Sequence, residues 1–239
     1  MDNLIKLPFI ETNISLIDFN KLENNGYLRP IFIELLKAEK IKNILPTEYL
    51  IKTSSEELLL KYNVDKFNKD KNNQYYVDLI NKEVIKLASL KKLSIDKFGK
   101  EAKNIFNSRK EFHYDQYIYS LLRTKNKKLV FELYYQIEAN ETSINQLSKK
   151  YSSGSERLKL GIIGPINLKD VHSEIAKILK ISNDSIINEP IEINKEWFLI
   201  KRENFVDVKF NDYYQNKICF ELLENELENE YFNFINTNS

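Results

Sequence analysis

The residues able to do acid–base, nucleophilic or metal chemistry are few. The chain of 239 residues holds two histidines, His113 and His172, and one cysteine, Cys219. Two distant imidazoles and one thiol do not make a metal site, which takes three or four convergent ligands. Each histidine reads as a surface or locally bonded residue, and Cys219 has no partner for an internal disulfide. Gly161-Ile-Ile-Gly164-Pro165 is not a phosphate-binding loop, because no Lys-Ser/Thr pair follows it. No cofactor is expected.

Composition narrows the function classes further. Thirty-six Lys and Arg stand against 35 Asp and Glu, so no general attraction to nucleic acid or to an anionic membrane is expected. The aromatic residues are not interleaved with a basic patch, which argues against nucleic-acid binding. No stretch approaches the ~18–20 apolar residues of a membrane span, and the start, MDNLIKLPFIETN, lacks a signal-peptide pattern. A cytoplasmic location is the expectation.

Only a few elements are available to position such residues. Three of the five glycines, Gly154, Gly161 and Gly164, fall within one short stretch, concentrating backbone freedom there. Before it, 29–112 reads as amphipathic helices. Pro30 opens one carrying Ile31, Phe32, Leu35 and Leu36. Pro46 and Thr47 punctuate the chain, and Thr53-Ser54-Ser55-Glu56 has the form of a capping box. A polar loop at 68–73 precedes a helix through Ile80, Val84, Leu87 and Ala88, and Ser94 to Lys97 predicts a further start. From Tyr117 to Leu122 the texture turns β-branched, aromatic and apolar, a strand. Helices follow at Lys127–Ala139, Thr142–Tyr151 and Ser173–Lys180, then a strand at Trp197–Ile200. Strand, helix, helix, loop, helix, strand within ~85 residues predicts a compact α+β domain. Asp212 to Phe234 is a last amphipathic helix. Its Glu221, Glu224, Glu226, Glu228 and Glu230 lack a local balancing base and read as the solvated face of a packed helix.

Four motifs in order carry a family resemblance: the first strand; Ile144-Asn-Gln-Leu-Ser-Lys-Lys-Tyr-Ser152; Leu160-Gly-Ile-Ile-Gly164; and Glu189-Pro190-Ile191 followed by Glu196-Trp-Phe-Leu-Ile-Lys201. Over about 90 residues this resembles the parvulin-type peptidyl-prolyl cis-trans isomerases. Those show His-Ile-Leu-Val, Phe-x-x-Leu-Ala-x-x-Tyr-Ser, Gly-Gly-Asp-Leu-Gly, and Glu-Pro-Val with Gly-Tyr-His-Ile-Ile-Lys. The helical flanks are similar to the bacterial foldase and chaperone members. The resemblance implies an α+β protein with a helical N-terminal lobe (1–112), a parvulin-like domain of small sheet and helices (113–203), and a C-terminal helix (204–239) that returns to the first lobe.

The implied partner is unfolded or proline-containing polypeptide, with processing or export machinery as a second possible partner. An isomerase must hold the twisted imide of an X–Pro bond better than the planar one, against a barrier of roughly 18–20 kcal/mol. The family does so with two histidines and an acidic or thiol group. Carried over, those positions are Ser120, Phe198 and Ile162, so the catalytic centre reads as degenerate. The implied substrate-binding residues are Ser120, Ile162, Leu168, Ile175, Leu179 and Phe198. Two functions compete: a peptidyl-prolyl isomerase, or a non-catalytic chaperone or adaptor presenting peptides to a processing or export machine.

Overall fold

The computed structural model describes residues 4–6, 13–61 and 74–238. The polar loop expected at 68–73 lies outside them. The chain divides into two compact units, Met1–Phe106 with Phe210–Ser239, and Asn107–Lys209.

In the first unit a short hairpin, β1 (Leu4–Lys6) and β2 (Asn13–Ser15), precedes α1 (Leu16–Asn24), α2 (Leu28–Ile41) and α3 (Glu48–Lys61). The long α4 (Gln74–Arg109) begins in this unit, and α8 (Asp212–Asn238) completes it. Leu28, Phe32 and Leu36 keep helical spacing on α2 and meet Leu223, Leu227 and Tyr231 of α8 in one apolar core. The acidic run on α8 is not left without bases. Glu226 pairs with Lys40 at 3.1 Å and with Lys97, Glu230 with Lys40 at 2.7 Å, and Glu228 with Arg29. The balancing charges come from α2 and α4, which no local window of sequence reveals.

Two predicted helix starts fall inside helices instead. Thr53 Oγ1 donates to the Leu50 carbonyl and Ser94 Oγ to that of Lys91. These hydroxyls bond back within their own helix and cap nothing. The amide that does find a cap is Leu50, bonded to Thr47 Oγ1. Ser94 sits within an uninterrupted α4.

The second unit is built on a four-stranded antiparallel sheet in the order β4-β3-β6-β5. Its strands are β3 (Gln116–Thr124), β4 (Ile162–Ile166), β5 (Ile191–Ile193) and β6 (Glu196–Val206). One face carries α5 (Lys127–Glu138) and α6 (Ile144–Tyr151), packing Val130, Leu133, Ile144 and Leu147 against Leu122 and Leu199. On the other face α7 (Ser173–Ile181) sets Ile175, Ala176 and Leu179 against Tyr119, Leu121, Phe198 and Ile200. The period-2 alternation of β3 and β6 feeds both cores at once. Asn126 and Ser143 cap α5 and α6 through their side-chain oxygens.

Candidate functional site

A groove of about 960 Å³ opens on the α7 side of this sheet. Leu121 of β3, Phe198 of β6, Ile175 of α7 and Ile193 of β5 are its buried apolar lining. Ile162 and Leu158 line it as exposed aliphatic side chains. Its polar lining is made of Arg123, Glu156, Glu196, Lys159, Ser155, Asn194 and His172.

Three of these side chains form one charged cluster. Arg123 makes a forked pair with Glu156, Nε to Oε1 and Nη2 to Oε2 both at 3.1 Å, and its Nη1 stands 3.9 Å from Glu196. Ser152 Oγ donates to the same Glu156 carboxylate. Burial alone would push Glu156 up; the bonds from Ser152, from its own backbone amide and from Arg123 outweigh it and hold the carboxyl below its ordinary value. Gly154 makes this arrangement possible, since a Cβ there would collide with the Arg123 guanidinium and the Glu156 carboxylate. His172 is locally bonded: its Nδ1 accepts from the Glu174 amide at 3.3 Å and caps α7.

The expected site residues separate into three groups. Ile162, Ile175 and Phe198 come together as groove lining. Leu168 and Leu179 are buried at 2% and 0% in the core on the same side, beneath the groove surface. Ser120 is corrected as a groove residue. It is fully buried, pairs in register with Ile162 and Lys201, and sends its hydroxyl to the α6 side. There Oγ donates to Glu203 Oε1 at 2.6 Å and accepts from Asn145 Nδ2 at 2.9 Å. One residue along a strand reverses the face, so its neighbours Tyr119 and Leu121 are on the α7 side, Leu121 lining the groove and Tyr119 buried in the core there. Burial first, and the charge of Glu156 second, push the Tyr119 hydroxyl up to about 12.

Arg123, Glu156 and Leu158 were not singled out from the sequence. The alternation Tyr117, Tyr119, Leu121, Arg123 would have placed Arg123 on the groove face. Glu156 and Leu158 sit in the turn Ser155–Lys159, which has no periodicity to follow. Among the described residues, no group of three or more His, Cys, Asp or Glu could hold a metal ion.

No family model and no curated protein matches the chain. Solved structures do. The peptidylprolyl isomerase PrsA of Bacillus cereus aligns with 100% of this chain and 89% of its own at 16% identity and a TM-score of 0.41. PrsA of Bacillus subtilis aligns over 99% and 91% at 15% identity and a TM-score of 0.37. A structure from the Campylobacter jejuni study of PEB4 and Cj1289, two SurA-like chaperones, aligns over 98% of both chains at 13% identity, TM-score 0.37. The fold is α+β, and all four sequence motifs fall on its second unit: on β3, on α6 with its cap Ser152, at the entry to β4, and on β5 with β6.

The cytoplasmic placement expected above is corrected by the same comparison. Cj1289, one of the two proteins of that Campylobacter jejuni study, is described as periplasmic. The lack of a membrane-spanning helix among the described residues does not bear on that question.

Proposed function

We propose that this chain binds unfolded or proline-containing polypeptide in the groove of its second unit, and that it does so as a chaperone or adaptor with little isomerase turnover. The observation that carries the reading is the apolar lining formed by Leu121, Ile175, Ile193 and Phe198, beside a polar set in which Arg123 is held by Glu156. An apolar concave surface with a few polar groups fits a proline ring and its neighbours. Fast rotation needs more, namely unengaged donors aimed at the twisted imide. Phe198 and Ile162 stand at two positions where the family resemblance implies polar groups, and Ser120 bonds on the far side of the sheet.

The test is titration of a labelled proline-containing peptide with the full chain. Ile162 is 44% exposed, so Ile162→Asp alters the groove without opening the core, and it is expected to weaken binding about tenfold. No binding at millimolar peptide, or equal binding by Ile162→Asp, would remove the groove from the account. Strong acceleration of prolyl isomerisation by the wild-type chain would restore the enzyme reading.

A further inference from the structure

A second groove, of about 640 Å³, lies wholly within the first unit. Tyr49, Thr53 and Glu57 line it from α3, and Leu87 and Lys91 from α4, each four residues from the next. Tyr213, Lys217, Phe220 and Glu224 line it from α8 at the same helical spacing. The lining faces run for about 12 Å along α3 and about 16 Å along α8, at a rise of about 1.5 Å per residue. A lengthwise channel between three helix faces is the space that one further helix fills in a bundle. Leu87 and Phe220 are half-buried in it, while Tyr49 and Tyr213 are 58% and 64% exposed.

The charges of this groove do not cancel. Four carboxylates, Glu57, Asp212, Glu221 and Glu224, line it with two amines, Lys91 and Lys217. Lys91 is held by Glu57 at 2.6 Å. Among the described residues no ion pair holds Asp212, Glu224 or Lys217. Glu224 belongs to the acidic run of α8, whose Glu226, Glu228 and Glu230 all find bases on α2 or α4. Glu224 is instead an exposed carboxylate facing the groove. The two exposed phenol rings add a surface that attracts a cation over its face. That surface is fixed beforehand: Tyr213 stands edge-on to Tyr214 at 5.1 Å, and Tyr214 lies 5.1 Å from the fully buried Phe106. An occupant has little ordering to impose there.

We propose that this groove docks an amphipathic helix of a partner protein, with its apolar side chains on Leu87 and Phe220 and its arginines or lysines against Asp212, Glu224 and the rings of Tyr49 and Tyr213. An apolar floor between helical walls fits such a helix, and the excess of carboxylates disfavours an acidic one. The site is independent of the groove in the second unit.

Three labelled peptides of about 18 residues, long enough for an isolated helix to form in part, are titrated against the full chain by fluorescence anisotropy. The first has leucines along one helix face with arginines beside them. The second replaces each arginine with glutamate, and the third has the composition of the first with its leucines scattered around the helix. The first is expected to bind about tenfold more tightly than either of the others. Glu224→Lys should weaken it about tenfold and Tyr213→Ala about threefold, whereas Lys217→Glu should tighten it. All three side chains are exposed, so the unfolding midpoint should stay that of wild type. Ile162→Asp, in the second unit, should leave binding unchanged. Equal binding of the arginine and glutamate peptides, or indifference to both Glu224→Lys and Lys217→Glu, overturns the proposal. Equal binding of the scattered peptide removes the helix from it. Loss of binding in Ile162→Asp would assign the peptide to the second-unit groove instead. No binding at millimolar peptide overturns the docking site and leaves that other groove untouched.

Discussion

Replacing Gly161 with alanine should destabilise the second unit by about 2–5 kcal/mol. Gly161 has φ +77°, where a residue with a Cβ carries a cost of roughly 1–2 kcal/mol. An added Cβ would stand 2.5 Å from the Leu121 carbonyl oxygen and 2.6 Å from Ser148 Oγ. Neither can yield easily. Leu121 is in the central strand β3, and Ser148 Oγ donates to that same carbonyl at 2.9 Å. Forcing such a contact apart adds about 1–3 kcal/mol. Asn140 is the control, an exposed residue of the same unit at φ 57°. Asn140→Ala keeps a Cβ at positive φ, meets no close contact and loses only the weak bond from Asn140 Nδ2 to the Glu138 carbonyl at 3.5 Å, so it should cost about 1 kcal/mol or less. The chain's one tryptophan, Trp197, lies in β6 against Phe131 at 5.6 Å, so its fluorescence follows this unit in a urea titration. If the two variants lose equal stability, or if Gly161→Ala stays within about 0.5 kcal/mol of wild type, the close approach of Gly161 to β3 is refuted.

Three further outcomes follow from the same packing. Leu199 is fully buried between β6 and the α5–α6 layer, so Leu199→Ala should lower stability by about 2–5 kcal/mol in urea denaturation. Ser54 is fully buried, with no hydrogen-bond partner for its hydroxyl among the described residues; Ser54→Ala should therefore be neutral or stabilising by up to about 1 kcal/mol in a thermal melt. Glu156 has a folded-state pKa below its ordinary value. Its contribution is complete above the ordinary carboxylate range and is lost as pH falls through the lower folded value, so Glu156→Gln should flatten the acid limb of a stability–pH profile.

Much of the second unit was legible because its elements follow strict periods. Leu122 and Leu199 serve one core and Leu121, Phe198 and Ile200 the other, and β3 and β6 announced themselves by those residues, whereas β4 and β5, short and without such a run, did not. Ile144, Leu147 and Tyr151 marked α6 in the same way. The apolar half of the groove was legible too, since Ile162, Ile175 and Phe198 meet there. What the sequence hid was a question of facing and partners. Ser120 differs from Tyr119 by a single step, and only the strand register decides which of them looks at α7. Arg123 and Glu156 are joined across a turn without periodicity, and the acidic side chains of α8 find bases on α2 and α4. Ser94 looked like a cap because its hydroxyl suits either end of a helix or its interior. Which one it serves depends on whether the carbonyl three residues back is within reach.

The most direct test of the account is an NMR exchange experiment on the isotope-labelled full chain with a proline-containing peptide. Binding in the groove predicts amide shifts concentrated at Ile162, Ile175 and Phe198. Little turnover predicts cis and trans peptide signals that interconvert only at the unaided rate, over tens of seconds or longer. Shifts confined to residues outside the groove, or cis–trans exchange peaks that grow in within about a second, would contradict it.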